Sequence, residues 1–250
     1  MNLLEAILLY LAGAAAGFVN VNAGGGSFIT IPLLVILGGL PVTAANGSNR
    51  LAILLQNLMA ARNFRNHGFR DLRQGVKLGT FAGAGALIGS SLALEISERI
   101  FSLIFSVMMV LMLLIILRPS RESSCHHSQE TLRRPVLQMA VFFFIGIYGG
   151  FIQAGTGYLV IFSLCMLGGL SLVKTNSLKI VIIATYLIPS LTIFIIHGQV
   201  RWIPALVLAA GTSTGGWFGT TFAVKKGDRW IKLVLAAAMV AMAAKMAGLF

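Results

Sequence analysis

Acidic side chains are scarce: Asp and Glu number 7 in 250 residues, and all charged types together reach 10%. A soluble domain carries roughly 25% charged residues, and Lys, Glu, Asp and Arg are what cover a water-facing surface. A water-soluble globule is therefore excluded. With 57% hydrophobic residues and a mean hydropathy of +0.90, disorder is excluded as well. There are only two cysteines, Cys125 in a polar stretch and Cys165 inside an apolar run, so no disulfide framework is expected.

Several motifs are also missing. No H-E-x-x-H helix, no Walker-type loop and no serine paired with a buried histidine occurs, so metalloprotease, direct ATP-coupled and intramembrane serine-protease chemistry have no residues to run on. The chain is not expected to be an enzyme, and no cofactor or metal is expected. Cys125-His126-His127 are three adjacent residues without further ligands, which makes a poor metal site. The N-terminal MNLLEAILLY lacks a basic n-region, so the first apolar segment is expected to stay on the chain.

Apolar runs are what the chain has in place of these. A bilayer core of about 30 Å needs roughly 20 apolar residues per helix, which places spans near 4–21, 45–62, 77–94, 100–117, 136–153, 177–196, 203–222 and 231–249. Two shorter stretches, 27–40 and 157–170, follow glycine-rich breaks and read as short spans or re-entrant halves. The polar stretch 118–135 reads as a cytoplasmic linker between a membrane repeat at 1–117 and a second at 136–250.

The two halves match at an offset of about 130, and such self-similarity sets the fold. Ala23-Gly24-Gly25-Gly26 aligns with Ala154-Gly155-Thr156-Gly157, Ser48-Asn49-Arg50 with Ser177-Leu178-Lys179, His67-Gly68 with His197-Gly198, and Gly85 and Gly89 with Gly215 and Gly219. The net charge of +12 sits in short clusters between apolar runs, the pattern of cytoplasmic loops facing anionic lipid and not of a nucleic-acid face. Arg62, Arg65, Arg70, Arg73 and Lys77 mark one loop in the first half. In the second half the basic cluster moves to the other loop, at Lys225, Lys226, Arg229 and Lys232. The expectation is an all-α, multi-pass integral membrane protein of two inverted-topology repeats. Each has about five helical segments, with glycine-broken helices near the midplane, the linker inside and both termini outside.

Broken helices at matching positions of inverted halves point to a substrate site, because freed backbone in lipid is tolerated only where protein or a cavity satisfies it. The first candidate group is Asn22, Gly24, Gly25, Gly26 and Ser27 with Gln153, Gly155, Thr156 and Gly157. The second is Ser48, Asn49 and Arg50 with Asn176, Ser177 and Lys179, where a cation sits about one turn into each apolar helix. An intramembrane charge costs at least about 2.5–3.5 kcal/mol, and no acid lies in the spans to neutralise these two, which suggests an anion as partner. The alternative is that both side chains snorkel to lipid headgroups. The glycine stripes Gly79, Gly83, Gly85, Gly89 and Gly211, Gly215, Gly219 read as helix-packing surfaces, and His67 and His197 as helix-end residues.

The glycine break followed by Pro32-Leu33-Leu34, the A-x-N-G-S-N-R segment at 44–50 and their second-half echoes resemble the sulfite exporter TauE/SafE family. Asn22-Ala23-Gly24-Gly25-Gly26 keeps the family's glycine-rich pattern, and Gly155-Thr156-Gly157 is a thinner copy with no following proline. Some members similarly carry a basic residue at the positions of Arg50 and Lys179. The resemblance implies transport of small sulfur oxyanions or organosulfur compounds, commonly outward, across the bacterial inner membrane. The reading is then a secondary transporter of a small anionic substrate working by alternating access, with membrane lipid and a coupling ion, proton or sodium, as its other partners. A passive anion channel and a non-transporting membrane scaffold are the alternatives.

Overall fold

The computed structural model describes residues 1–69, 72–117, 135–168 and 170–226. The described residues form helices and no strands: α1 (Leu3–Ala23), α2 (Ser27–Ile36), α3 (Val42–Asn66), α4 (Leu72–Glu95), α5 (Glu98–Leu117), α6 (Pro135–Phe151), α7 (Thr156–Gly168), α8 (Leu172–Ile196) and α9 (Trp202–Lys226). The expected linker up to residue 134, Cys125-His126-His127 and the span at 231–249 lie outside the described residues. Among the described residues, α1, α4 and α8 are long and apolar enough to cross a membrane.

Apolar side chains point outward as well as inward. Leu3 is 78% exposed, and Leu103, Phe144 and Phe218 are each more than 60% exposed, whereas amides and hydroxyls such as Asn46, Asn49, Gln56 and Ser90 are fully enclosed. Contiguous apolar exposure on this scale marks a surface that faces something other than water. The multi-pass helical membrane architecture follows.

The glycine stripes set the helix directions. A Cβ on Gly215 would run into Ala14 O and one on Gly211 into Tyr10 O, while Cβ atoms on Gly85 and Gly89 would run into Phe143 O and Ile147 O. These matched ladders rise together along each pair, so α1 runs parallel to α9 and α4 parallel to α6. Gly75 and Gly79 meet Val181 and Thr185, making α4 and α8 parallel. Thr212 donates to Ala52 O, and Asn63 donates to Trp217 O, making α3 and α9 parallel. In contrast α3 and α8 are antiparallel, with Gly47 beside Phe194 and Arg50 beside Ser190. Each seam of one half thus recurs in the other with the partner exchanged: α1 on α9 and α6 on α4, α3 on α9 and α8 on α4.

Because α1 and α3 run the same way, α2 must return to the face from which α1 started. Its 10 residues span about 15 Å at 1.5 Å per residue, half a bilayer core. Consistent with this hairpin, a Cβ on Gly26 would meet Asn20 Cβ and Ala16 O on the flank of α1. The same argument makes α6 and α7 a hairpin. His67 and His197 close α3 and α8, each Nδ1 lying 2.9 and 2.8 Å from the carbonyls of Asn63 and Ile193. Cys165 of α7 is disulfide-bonded, which corrects the expectation of no disulfide. An apolar run in a half-length helix ends close to the bundle surface, so it does not shelter a thiol as a full span would.

The tight and loose faces of α4 should separate on mutation. Gly83→Ala is expected to keep or raise the thermal midpoint of detergent-purified protein, because its Cβ would sit 3.5 Å from Pro189 Cγ and alanine favours a helix by about 1 kcal/mol over glycine. Gly89→Ala is expected to lower it, with a packing penalty of about 1–3 kcal/mol. The reverse order would disprove the α4–α6 contact.

Candidate functional site

The two breaks touch. Gly24, at φ 80°, ends α1 by donating its N–H to Asn20 O at 2.8 Å. Its α-carbon presses on the backbone of Gly157 so closely that a Cβ on either residue would strike the other's main chain. In the second half two positions are left-handed, Gln153 at φ 66° and Gly155 at φ 79°, and α7 begins at Thr156, whose hydroxyl donates to Gln153 O at 2.7 Å. Gly155 is the residue that the sequence alignment pairs with Gly24, while the helix starts pair Ser27 with Thr156. A β-carbon costs roughly 1–2 kcal/mol in the left-handed region, so the Gln153 side chain sits where the backbone favours glycine.

Each buried cation reaches across to the other half. Arg50, on α3, is fully buried. Its guanidinium donates to Gly149 O at 3.1 Å, Gly150 O at 2.6 Å, Phe151 O at 3.4 Å and Ser190 Oγ at 2.6 Å, and it stacks 4.3 Å from the centre of the Phe194 ring. Lys179, on α8, is also buried, and its ammonium donates to Asn20 O at 3.0 Å and Val21 O at 2.6 Å. Those carbonyls are the last turns of α6 and α1, the negative ends of two helix dipoles. Hydrogen bonds to a charged group are worth about 1.5–3 kcal/mol each, enough to offset the cost of inserting the charge. Neither side chain snorkels. In this structure the partners of both cations are main-chain carbonyls.

Amides repeat the exchange. Asn46 donates to Phe151 O at 2.9 Å, and Asn176 to Asn22 O at 3.3 Å. Ser190 extends the Arg50 cluster to Ser90, whose hydroxyl lies 2.6 Å away and 3.1 Å from Gly150 O. Asn22 turns toward α9, donating to Phe18 O and, at 3.4 Å, to Gly219 O. Ser48 accepts from Arg201 N at 2.9 Å, so it serves the α8–α9 turn and not the break, and Ser177 is buried one turn from Lys174.

Asn49 is the hub of the crossing. Its Nδ2 donates to Ser27 Oγ at 3.1 Å and Gln153 Oε1 at 3.2 Å, and its Oδ1 accepts from Thr30 Oγ1 at 2.6 Å. It thereby joins the start of α2 to the second break. The N-cap residue of α2 is Gly26, which has no side chain to cap the first turn, and the neighbouring Gly25 is half-buried, where a Cβ would meet only Phe28, at 3.7 Å. The sequence marks Asn20 as an amide flanking the first break, but does not single out Thr30, Asn46, Gln56, Ser90 or Ser190. The signal available was spacing: Asn49, Gln56 and Asn63 stand seven apart, two turns of one helix face.

Helical repeats that exchange partners around two touching helix breaks, lined by amides and hydroxyls and enclosed by outward-facing apolar side chains, define a polytopic membrane protein of the broken-helix kind. A family model described as sulfite exporter TauE/SafE matches residues 9–246, and the chain belongs to that family of membrane transporters. It is similar to a probable membrane transporter protein, ORF9, of Sinorhizobium sp, at 26% identity over 95% of this chain and 90% of that protein. A probable membrane transporter protein of Haemophilus influenzae is 28% identical over 96% of this chain and 93% of its own length. The probable membrane transporter protein YfcA of Escherichia coli K12 is 24% identical over 96% and 88%. No solved structure matches.

Removing either cation strands carbonyls in a dry interior. Arg50→Leu and Lys179→Leu are each expected to cost about 2–4 kcal/mol, a fall of about 5–15 °C in thermal midpoint at roughly 2–4 °C per kcal/mol. Arg50→Lys should fall between, since an ammonium keeps the charge but loses the planar fork. Unchanged midpoints in detergent would rule out the cross-capping role.

Proposed function

We propose that the chain is a secondary transporter of small anions, sulfur oxyanions or organosulfonates, which it exports across a bacterial inner membrane by alternating access around the crossing of the two breaks. One observation carries this reading. The negative ends of α1 and α6 are each neutralised by a buried cation, while the positive end of α2, whose N-cap residue is Gly26, meets only a neutral amide, Asn20 Oδ1 on Gly26 N–H. Among the described residues the glutamates, Glu5, Glu95 and Glu98, are all outside the core. The field left over at the crossing is positive, and helix N-termini of this kind bind anions. The family description supports a sulfur oxyanion as the cargo.

Opposite helix senses support the inverted topology. α1 and α3 run with α9, while their counterparts α6 and α8 run with α4. Arg62, Arg65, Lys77, Lys174 and Lys225 therefore gather where α3 and α9 end, and the three glutamates at the other face. By the positive-inside rule the first of these faces is cytoplasmic.

Counterflow of labelled sulfite in proteoliposomes tests the function. Saturable exchange is expected, and Asn49→Leu should weaken apparent affinity about tenfold or more, a loss of about 1.4 kcal/mol or more. The fold should survive, because leucine already stands at the matching position, Leu178. Flux that never saturates would make the protein a channel, and no flux of sulfite or small sulfonates would remove the anion reading. Single cysteines in the loops 62–77 and 223–230, in a background lacking Cys125 and Cys165, should label from the same side of the membrane. Labelling from opposite sides would overturn the inverted topology.

A further inference from the structure

Two chains of oriented amides leave the first break, and each ends in a buried N–H with nothing to hold. The polarity of the first is fixed by a donor that cannot reverse. The main-chain N–H of Gly26 donates to Asn20 Oδ1 at 3.2 Å, so Asn20 Nδ2 is the atom that faces Gln56 Oε1 at 3.4 Å, and Gln56 Nε2 is left without a partner. In the other chain Thr30 donates to Asn49 and Asn49 to Gln153, and Gln153 Nε2 is left over. Gln153 belongs to the crossing already described. Gln56 does not: it is two turns further along α3 toward the basic face, fully buried between Val21 of α1 and Gly216 of α9.

Buried donors are almost always paired, so an orphan at the end of a directed chain calls for an acceptor. The seam it occupies runs on toward the basic face past Thr220, which is buried, and Asn63, which donates to Thr221 Oγ1 at 2.9 Å. The matching face of α8 carries no amide: where α3 has Asn49, Gln56 and Asn63, α8 has Leu178, Thr185 and Thr192, whose threonine hydroxyls donate to Val181 O and Ile188 O, as Thr220 donates to Gly216 O. Polar groups between α4, α6 and α8 lie elsewhere, at Ser90, Ser190 and Gln138. The halves share a fold but not an amide row.

We propose that Gln56 is a second binding station for a small oxyanion, on a path that joins the crossing to the basic face along the α1–α3–α9 seam. This rests on the transport reading for the central site, and it adds where the anion goes next. The anion accepts from Gln56 Nε2, and its way out is lined by hydroxyls and amides that carry no charge to trap it.

The test reads access and charge preference without needing transport. Gln56→Cys, Thr220→Cys and Thr185→Cys are made in a chain with Cys125 and Cys165 replaced by serine, reconstituted in vesicles of known orientation. They are then treated with an anionic sulfonatoethyl and a cationic trimethylammonioethyl methanethiosulfonate. Gln56→Cys and Thr220→Cys should react from the basic face. Relative to each reagent's rate with a free small thiol, the anionic one should be faster by about tenfold or more, within the range that charge focusing supplies. Thr185→Cys should stay unreactive. Thr220→Cys is nearly isosteric and serves if Gln56→Cys misfolds. Equal reactivity at Thr185→Cys, preference for the cationic reagent, reaction only from the opposite face, or no reaction at both seam positions would overturn the station. Anion-selective labelling without sulfite flux would instead remove the transport reading and leave the station standing.

Discussion

Two helices stop in the middle of an apolar bundle, and the need to satisfy their cut ends away from water governs the rest of this structure. The last carbonyls of α1 and α6 have no intrahelical donors, and lipid supplies none. Lys179 and Arg50 meet that need from the opposite half. A donor on the same half would have had to bend back along its own hairpin. The exchange ties the halves together at the point where each is weakest, and it explains why two charges lie in the interior without any carboxylate beside them.

Once the negative ends are neutralised, the positive ends dominate. α2 starts against Asn49 with a glycine as its N-cap residue, and α7 starts one touching glycine away. The cations thus act on the crossing indirectly, by removing the charge that would otherwise cancel the field of α2. This separates two roles that an intramembrane cation can take. A residue that grips a ligand must have free donors, and the donors of Arg50 toward its neighbours are mostly engaged on carbonyls and Ser190. Arg50 keeps one unpaired donor, Nε, and the other unspent hydrogen-bonding atoms at the crossing include the amide of Gln153.

The repeat is close in backbone and loose in chemistry. Gly85 against Phe143 is matched by Gly215 against Ala14, contact for contact, because backbone-to-backbone approach admits only glycine. The lining obeys no such rule. Asn49 faces two elements while Leu178, its counterpart, joins an apolar cluster, and Gln153 accepts left-handed strain that the first break avoids by turning at Gly24. A protein that moves a solute between two sides needs the same hinge twice, but its two paths need not be lined alike.

Hydropathy and glycine spacing in the sequence determined the helices, their order, the duplication and the tight seams, since each depends on periodic or local chemistry: a run long enough for a bilayer, a stripe that must approach backbone, a break no helix can pass. Three things were decided only in three dimensions. The second left-handed position in the second break, at Gln153, appeared only in the fold, because such a turn is set by how the chain closes and not by composition. The partners of Arg50 and Lys179 proved to be carbonyls on the other half, and main-chain atoms leave no trace in a residue pattern. The orientation of Asn20, Asn49 and Gln56 follows from which atom each neighbour donates, and a side-chain amide, being donor and acceptor at once, shows its direction only when its neighbours are in place.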